Sequence, residues 1–238
     1  MSNLIHQPCG DCGSSDALQI NIAENGAVKS TFCHSCGQYT AASDGYSPVE
    51  IPEPSEPKPK PDFSSVERML TTANYQAIVS RGLNTATAKT YGILEKPDKT
   101  YFSYHDPEDA NVPIAAKIRL PDKNFYNVGN WSGAGLFGQQ LFNGGGKYIT
   151  LCEGEFDAAA AYQMQGSKYA CVSVRNGAGG ALKDCKAAYE YLDSFEAIII
   201  CFDADEPGNK ASKEVAELFS GKAAIVKHTG GHKDACDY

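Results

Sequence analysis

A proline-rich stretch that no core can absorb constrains this chain most. Residues 44–62 carry Pro48, Pro52, Pro54, Pro57, Pro59 and Pro61, half of the chain's twelve prolines, interleaved with Glu and Lys. Proline lacks the backbone donor and holds φ near its own preferred value, so such a run builds neither helix nor sheet. It reads as an extended, semi-rigid tether. The apolar residues must therefore be buried in two separate places, within residues 1–43 and within residues 63–238 of the 238-residue chain.

A segment of residues 1–43 is too short to stand on apolar packing alone. It holds two pairs of cysteines, Cys9-x2-Cys12 and Cys33-x2-Cys36, with Gly10, Gly13 and Gly37 suited to tight turns. Two such knuckles place four thiolates tetrahedrally around one Zn²⁺, with no open position, so the metal is structural. Disulfides or a redox motif are the alternatives. The other five cysteines (Cys152, Cys171, Cys185, Cys201, Cys236) are scattered, several in apolar runs, as in a reducing compartment. The expectation is a small all-β zinc ribbon. Its second knuckle carries His34 and Ser35, then Gln38 and Tyr39: donors and an aromatic, the groups that base readout and stacking use. Two readings of His34 stay open, a contact to nucleic acid and an exposed turn. The N-terminus lacks a basic region followed by an apolar one, and the apolar runs are too short to cross a bilayer. The chain reads as cytoplasmic, with no membrane partner.

Residues 63–238 divide at Gly144-Gly145-Gly146. In 63–145, Phe63, Val66, Met69 and Leu70 sit at helical spacing, with a stop at Gly82 and a second helix over about 85–91. Short alternating stretches around 100–130 then predict strands, making a mixed α+β lobe. In 146–238 apolar strand and helix alternate: KYITLC, FDAAAAYQMQG, YACVSV, AGGALKDCKAAYEYL, EAIIIC, NKASKEVAELF and KAAIVKH. That rhythm predicts an α/β fold, a parallel sheet flanked by helices, with active residues at the C-terminal strand ends.

Two acidic motifs stand at such ends. Glu153-Gly154-Glu155-Phe156-Asp157 follows one strand and Asp203-Ala204-Asp205-Glu206-Pro207-Gly208 another. Carboxylates at this density repel one another unless a cation is present, and hard oxygen donors select Mg²⁺ or Mn²⁺. Glu153, Asp203 and Asp205 are the expected ligands, with Glu153 either ligand or general base. Asp157, at the start of the following helix, is either a further catalytic carboxylate or a cap. A net charge of −8 argues only weakly against a polyanionic partner, since clustered carboxylates are neutralised once a cation binds. Lys117, Arg119 and Lys123 fall within seven residues; on a strand, 117 and 119 face one side, as an anionic substrate beside a metal requires. Arg175, before a glycine-rich turn, is a weaker candidate for a phosphate contact.

E-G-E-x-D after one strand and D-x-D-E-x-G after another resemble the Toprim domain of primases, topoisomerases and some nucleases. The match extends in order along nearly the whole chain: the cysteine quartet, the tether, SRGLNTATAKTYGI, AAKIRLPDKNF, GLFG-x-x-LFNGG, the acidic motifs and a closing HKDACD. In this order they resemble the primase half of bacteriophage primase–helicases. The resemblance implies a DNA primase: an RNA-polymerising nucleotidyltransferase that makes short primers from ribonucleoside triphosphates on single-stranded DNA. It implies domains at 1–43 (template reading), 44–62 (tether) and 63–238 (primase, with lobes 63–145 and 146–238). It adds Asp234 to the catalytic set, supports Lys117, Arg119 and Lys123 as nucleotide or nucleic-acid contacts, and brings a replicative helicase and a DNA polymerase forward as candidate partners. A Toprim-type nuclease and a non-catalytic DNA-binding adaptor are the rival readings. No G-x4-G-K-[ST] loop occurs, so no ATP-driven motor is expected within this chain. Gln139 stands where the family pattern leads one to expect a basic residue.

Overall fold

The computed structural model describes residues 2–9, 14, 17–23, 28–35, 38–41, 63–109 and 111–238. It separates into two compact units, residues 1–60 and 61–238. All of the proline-rich segment, together with Cys12 and Cys36, lies outside the described residues.

The first unit is a four-stranded sheet in the order β1-β2-β3-β4 (Ser2–Gln7, Leu18–Ile22, Val28–Cys33, Tyr39–Ala41), antiparallel throughout. Cys9 and Cys33 are buried. Cys9 N donates to Ser14 O (2.8 Å) and Cys33 N to Gln38 O (2.9 Å). With so little apolar mass, Ile20 is the sheet's fully buried aliphatic residue among those described.

The second unit opens with α1 (Phe63–Thr72), which buries Val66 and Leu70. The helix expected to run on towards Gly82 stops ten residues earlier. Thr71 and Thr72 turn their hydroxyls back onto the carbonyls of Glu67 and Arg68 (2.7–3.1 Å), competing with the helical ladder. The chain then makes one 3-10 turn, Val79–Arg81, closed by Gly82 at φ 63°. The second helix, α2 (Thr85–Tyr91), falls where predicted, capped by the Asn84 side chain, which accepts from Thr87 N.

An antiparallel meander follows: β5 (Ile93–Lys96), β6 (Lys99–His105), β7 (Pro113–Arg119) and β8 (Phe125–Gly129). β5 was not foreseen; its four residues are too few to show a period. The alternation beyond residue 146 folds as expected: β9 (Tyr148–Cys152), α3 (Glu155–Met164), β10 (Ala170–Ser173), α4 (Gly177–Ala187), α5 (Tyr189–Asp193), β11 (Ala197–Cys201), α6 (Glu206–Leu218) and β12 (Ala223–Ile225). The strands pair in parallel in the order β10-β9-β11-β12, so β9 and β11, which deliver the two acidic motifs, are adjacent and central. The helix expected over 178–192 is broken into α4 and α5 at Ala188.

The two lobes share one core. Tyr91, Phe102, Tyr104 and Phe137 from the mixed lobe pack with Cys152, Phe156, the Ala158–Ala161 run and Cys171 from the parallel-sheet lobe. Tyr91 donates its hydroxyl to Cys171 O (2.8 Å) at full burial, which satisfies a polar atom the aromatic cluster would otherwise strand. Meander and parallel sheet thus stand as one body, and side chains from both can line a single cavity.

Candidate active site

The C-terminal ends of β9, β10 and β11 open into a cavity of about 440 Å³, lined by Glu153, Asp157 and Asp203 together with Lys117, Arg175 and Asn176. Local geometry places each acid. Glu153 follows β9 directly; its Oε1 accepts from Ala178 N (3.1 Å), while Oε2 is buried and finds no hydrogen-bond partner. Gly154 is the N-cap of α3, and a Cβ there would lie 2.6 Å from Asp157 Oδ2. Asp157 itself does not cap α3; its Oδ1 accepts from Cys236 N (3.2 Å). Asp203 follows β11. A side chain at Gly208 would collide with the Asp203 carbonyl and come within 3.0 Å of Glu153 Oε2, which explains the glycine that closes the second motif.

Asp205 and Asp234 stand differently. Asp205 is exposed and caps α6, its Oδ1 accepting from Gly208 N (2.8 Å). Asp234 lies in a closing segment tied to the acidic loop by Ala204 N donating to Lys233 O (2.7 Å). That segment buries Ala235 in the shared core. Asp157, Asp234 and Cys236 each offer a ligand atom within 4.8 Å of the others.

The electrostatics describe an arrangement short of positive charge. Burial, followed by repulsion from Glu153, Asp157, Asp234 and Asp205, pushes the Asp203 carboxyl up to about 7. Burial and then Asp234 raise Asp157 to about 6. Glu153 is raised mainly by burial, against the pull of the Ala178 and Asp203 amides. Carboxylates held in these conditions favour protonation or a bound cation. The donors are almost all oxygen and one buried lone-pair site is unmatched, so the residues present fit a hard divalent ion.

The predicted basic trio divides between two places. Lys117 joins the acids: its Nζ donates to Glu155 Oε1 (2.7 Å) and to Arg175 O (3.0 Å). Glu155 is buried and also accepts from the Tyr104 hydroxyl (2.6 Å). Arg119 and Lys123 line a neighbouring groove that also contains Lys96, Lys99, Phe156 and Arg81. Lys123 holds φ 68° in the β7–β8 turn.

Three comparisons with known proteins bear on this geometry. Residues 150–238 match the Toprim-like family model. A DNA helicase/primase of Enterobacteria phage T3 is 34% identical over 94% of this chain, which spans 39% of that relative's length. The crystal structure of the primase fragment of the bacteriophage T7 primase-helicase protein aligns over 99% of this chain and 94% of its own, at 33% identity and a TM-score of 0.63. This chain belongs to the phage primase–helicase family, in its primase portion. A second structure, of the T7 lagging-strand DNA polymerase interacting with primase domains bound to an RNA/DNA hybrid and dTTP, covers 68% of this chain and 82% of the matched one. It is 39% identical, at a TM-score of 0.59. A Toprim-like domain binds divalent metal, and the donors of this primase-family chain are arranged accordingly.

Against that family pattern, several residues stand out that sequence reasoning misplaced or missed. Gln139 is buried, and its Oε1 accepts from Leu136 N (2.9 Å), so it shapes its own turn rather than facing a phosphate. Arg175 is corrected as a phosphate contact: its Nη1 donates to Trp131 O (3.0 Å) and Ala134 O (2.6 Å), and its Nη2 pairs with Asp184 (3.4 Å). Arg81 was missed. It lies 38 residues before Arg119 in sequence, yet both guanidiniums pack on the Phe156 ring, at 4.8 and 5.7 Å from its centroid. Burial, then Arg81, lowers the Arg119 pKa. His34, in the other unit, is exposed, pairs with Gln19 Oε1 (2.9 Å) and meets Phe32 edge-on. No helix among the described residues is long and apolar enough to cross a membrane.

Proposed function

We propose that this chain is a DNA primase that joins ribonucleoside triphosphates into short RNA primers on single-stranded DNA. The observation that carries this reading is the juxtaposition of Glu153, Asp203 and Asp157 in one cavity with Lys117, beside a groove bearing Arg81, Arg119 and Lys123. A synthetic site needs carboxylates for cations and cations for phosphates, side by side. Family membership supports the same reading. So does the RNA/DNA hybrid held by the similar T7 primase domains.

Glu153, Asp203 and Asp157, with Asp234 adjacent, would hold Mg²⁺ or Mn²⁺, and Asp205 would add a ligand from its cap position. Such an ion, when bound, supplies Lewis-acid stabilisation to the attacking and leaving oxygens of an in-line phosphoryl displacement. The chain's own residues do the positioning. Lys117 has three N–H donors and uses two within the protein, which leaves one for a triphosphate oxygen. The Arg81–Arg119 pair forms no close ion pair among the described residues, Glu155 and Asp157 acting on it only at longer range, and it suits the anionic backbone of template or primer. Glu153 Oε2, buried and without a hydrogen-bond partner, would hold a metal or accept the 3′-hydroxyl proton.

The N-terminal unit is proposed to be a zinc ribbon that reads the template, its Zn²⁺ held by Cys9, Cys12, Cys33 and Cys36, with His34 at the nucleic-acid face. The domain division is proposed as 1–43, 44–62 and 63–238. Partners would include a replicative helicase and a DNA polymerase, as the names of the relatives suggest. Incubating the full chain with labelled ribonucleotides, Mg²⁺ and a set of single-stranded templates should give short RNA. Degraded template, or binding without any product, would overturn the reading in favour of a nuclease or an adaptor.

A further inference from the structure

Among the described residues of this unit, Asp184 is the carboxylate whose side chain is wholly withdrawn from solvent, and neither the acidic motifs nor the basic trio contains it. It sits on α4 beside the buried Ala181 and Cys185, where an apolar residue would satisfy helix packing. Burying a carboxylate is unfavourable unless donors surround it, and here they do. Oδ2 accepts from Arg175 N (2.8 Å) and Asn176 N (3.0 Å); Oδ1 accepts from Asn176 Nδ2 (2.9 Å) and Arg175 Nη2 (3.4 Å). Every donor belongs to the turn between β10 and α4.

The same turn grips the active site with its remaining backbone groups. Arg175 O accepts from Lys117 Nζ, and Ala178 N donates to Glu153 Oε1. The Arg175 guanidinium, meanwhile, reaches the mixed lobe at Trp131 O and Ala134 O. Asp184 therefore connects through one short segment to the lysine that faces the nucleotide, to the glutamate with the unmatched oxygen, and to the opposite lobe.

We propose that Asp184 is a positioning residue for nucleotide binding. By fixing the 175–178 turn it sets the Lys117 ammonium and the Glu153 carboxylate in register, and Arg175 latches that turn to the mixed lobe. Asp184 touches no substrate; it acts through Lys117 and Glu153. The proposal rests on the primase reading for the identity of the substrate but not for the coupling itself.

The test is a double-mutant cycle on the full chain, read by ATP affinity in the presence of Mg²⁺ and by the KM and kcat of primer synthesis. Asp184→Asn retains one acceptor oxygen and replaces the other with a donor that faces Arg175 and Asn176. It should weaken ATP binding and raise the nucleotide KM on the order of tenfold, while raising the Mg²⁺ concentration needed for half-maximal activity. In a Lys117→Ala background the same substitution should add little to the ATP effect, because the lysine it positions is gone. A merely structural role would lower the melting temperature and add independently of Lys117; that result, or wild-type affinity in Asp184→Asn, would overturn the proposal. Should Asp184→Asn fail to fold, Arg175→Gln loosens the turn from its other side. It should show the same dependence on Lys117 at smaller size, and independence there overturns the proposal equally. Absence of primer synthesis by the wild-type chain would sink the primase reading alone, since ATP affinity reports the coupling without polymerisation.

Discussion

The acidic cavity and the basic groove solve opposite problems with the same device, and they differ in what holds them. Each gathers like charges that a ligand must reconcile. The acids are short side chains fixed at the ends of adjacent parallel strands, and burial raises Asp203, Asp157 and Glu153 together. The bases are long side chains on an antiparallel meander and a 3-10 turn, and two of them lean on one aromatic ring. The strand ends give a cation site little freedom of position. The groove would give a polyanion contacts that adjust, as backbone binding without sequence preference requires.

The sharpest way to break this contrast is at Asp203. Asp203→Asn should reduce primer synthesis on the order of 10³-fold, as expected when a metal-bridging carboxylate is lost. It should also raise the melting temperature in metal-free buffer at pH 8, because it removes one of the mutually repelling charges. The wild-type melting temperature should climb with added Mg²⁺ while that of the variant stays flat. A variant that loses activity and stability together would mean that the acids are packed for folding rather than held apart for an ion.

A second substitution separates the units. Cys36→Ser should abolish zinc content and template-dependent initiation, yet leave extension of a supplied primer largely intact, because residues 61–238 carry their own cores. Zinc analysis beside paired initiation and extension assays decides this. Equal loss of both activities would make the ribbon a folding requirement.

The groove should respond more mildly. Arg81→Ala is expected to weaken single-stranded DNA binding about five- to tenfold and to lower the slope of log affinity against log salt by about 1, the signature of one lost phosphate contact. An unchanged slope would remove Arg81 from the nucleic-acid path. The smallest effect is expected at Gln139. Gln139→Lys puts a charge into a buried turn and strands Leu136 N–H, so it should destabilise by roughly 1–3 kcal/mol in a denaturant titration. A gain in nucleotide affinity instead would show that the turn opens to admit a basic residue.

Much of this site was legible before any fold was known. Glu153, Asp203 and Asp157 could be read because strand–acid–helix is a local pattern, and β9 and β11 lie next to each other as a parallel sheet with short crossovers permits. Other features were misread for local reasons. The first helix was drawn too long, because apolar spacing does not reveal threonines that turn back on their own carbonyls. Asp205, read as a ligand, also serves as the cap of α6. Asp184 left no local signal, since a lone aspartate in an amphipathic helix ordinarily faces water.

The sequence by itself determined where charge is placed along the backbone: which residues end strands, which begin helices, where prolines gather and which cysteines are paired by spacing. Those are properties of neighbours in the chain, and periodicity and turn chemistry record them. Only the tertiary structure decided which charge meets which partner. Arg175 was drawn inward to carbonyls of the other lobe, Lys117 was bound to Glu155, and Arg81 was brought beside Arg119. Coulomb and hydrogen-bond energies depend on separation in space, and residues dozens of positions apart acquire that separation only when the two sheets share a core.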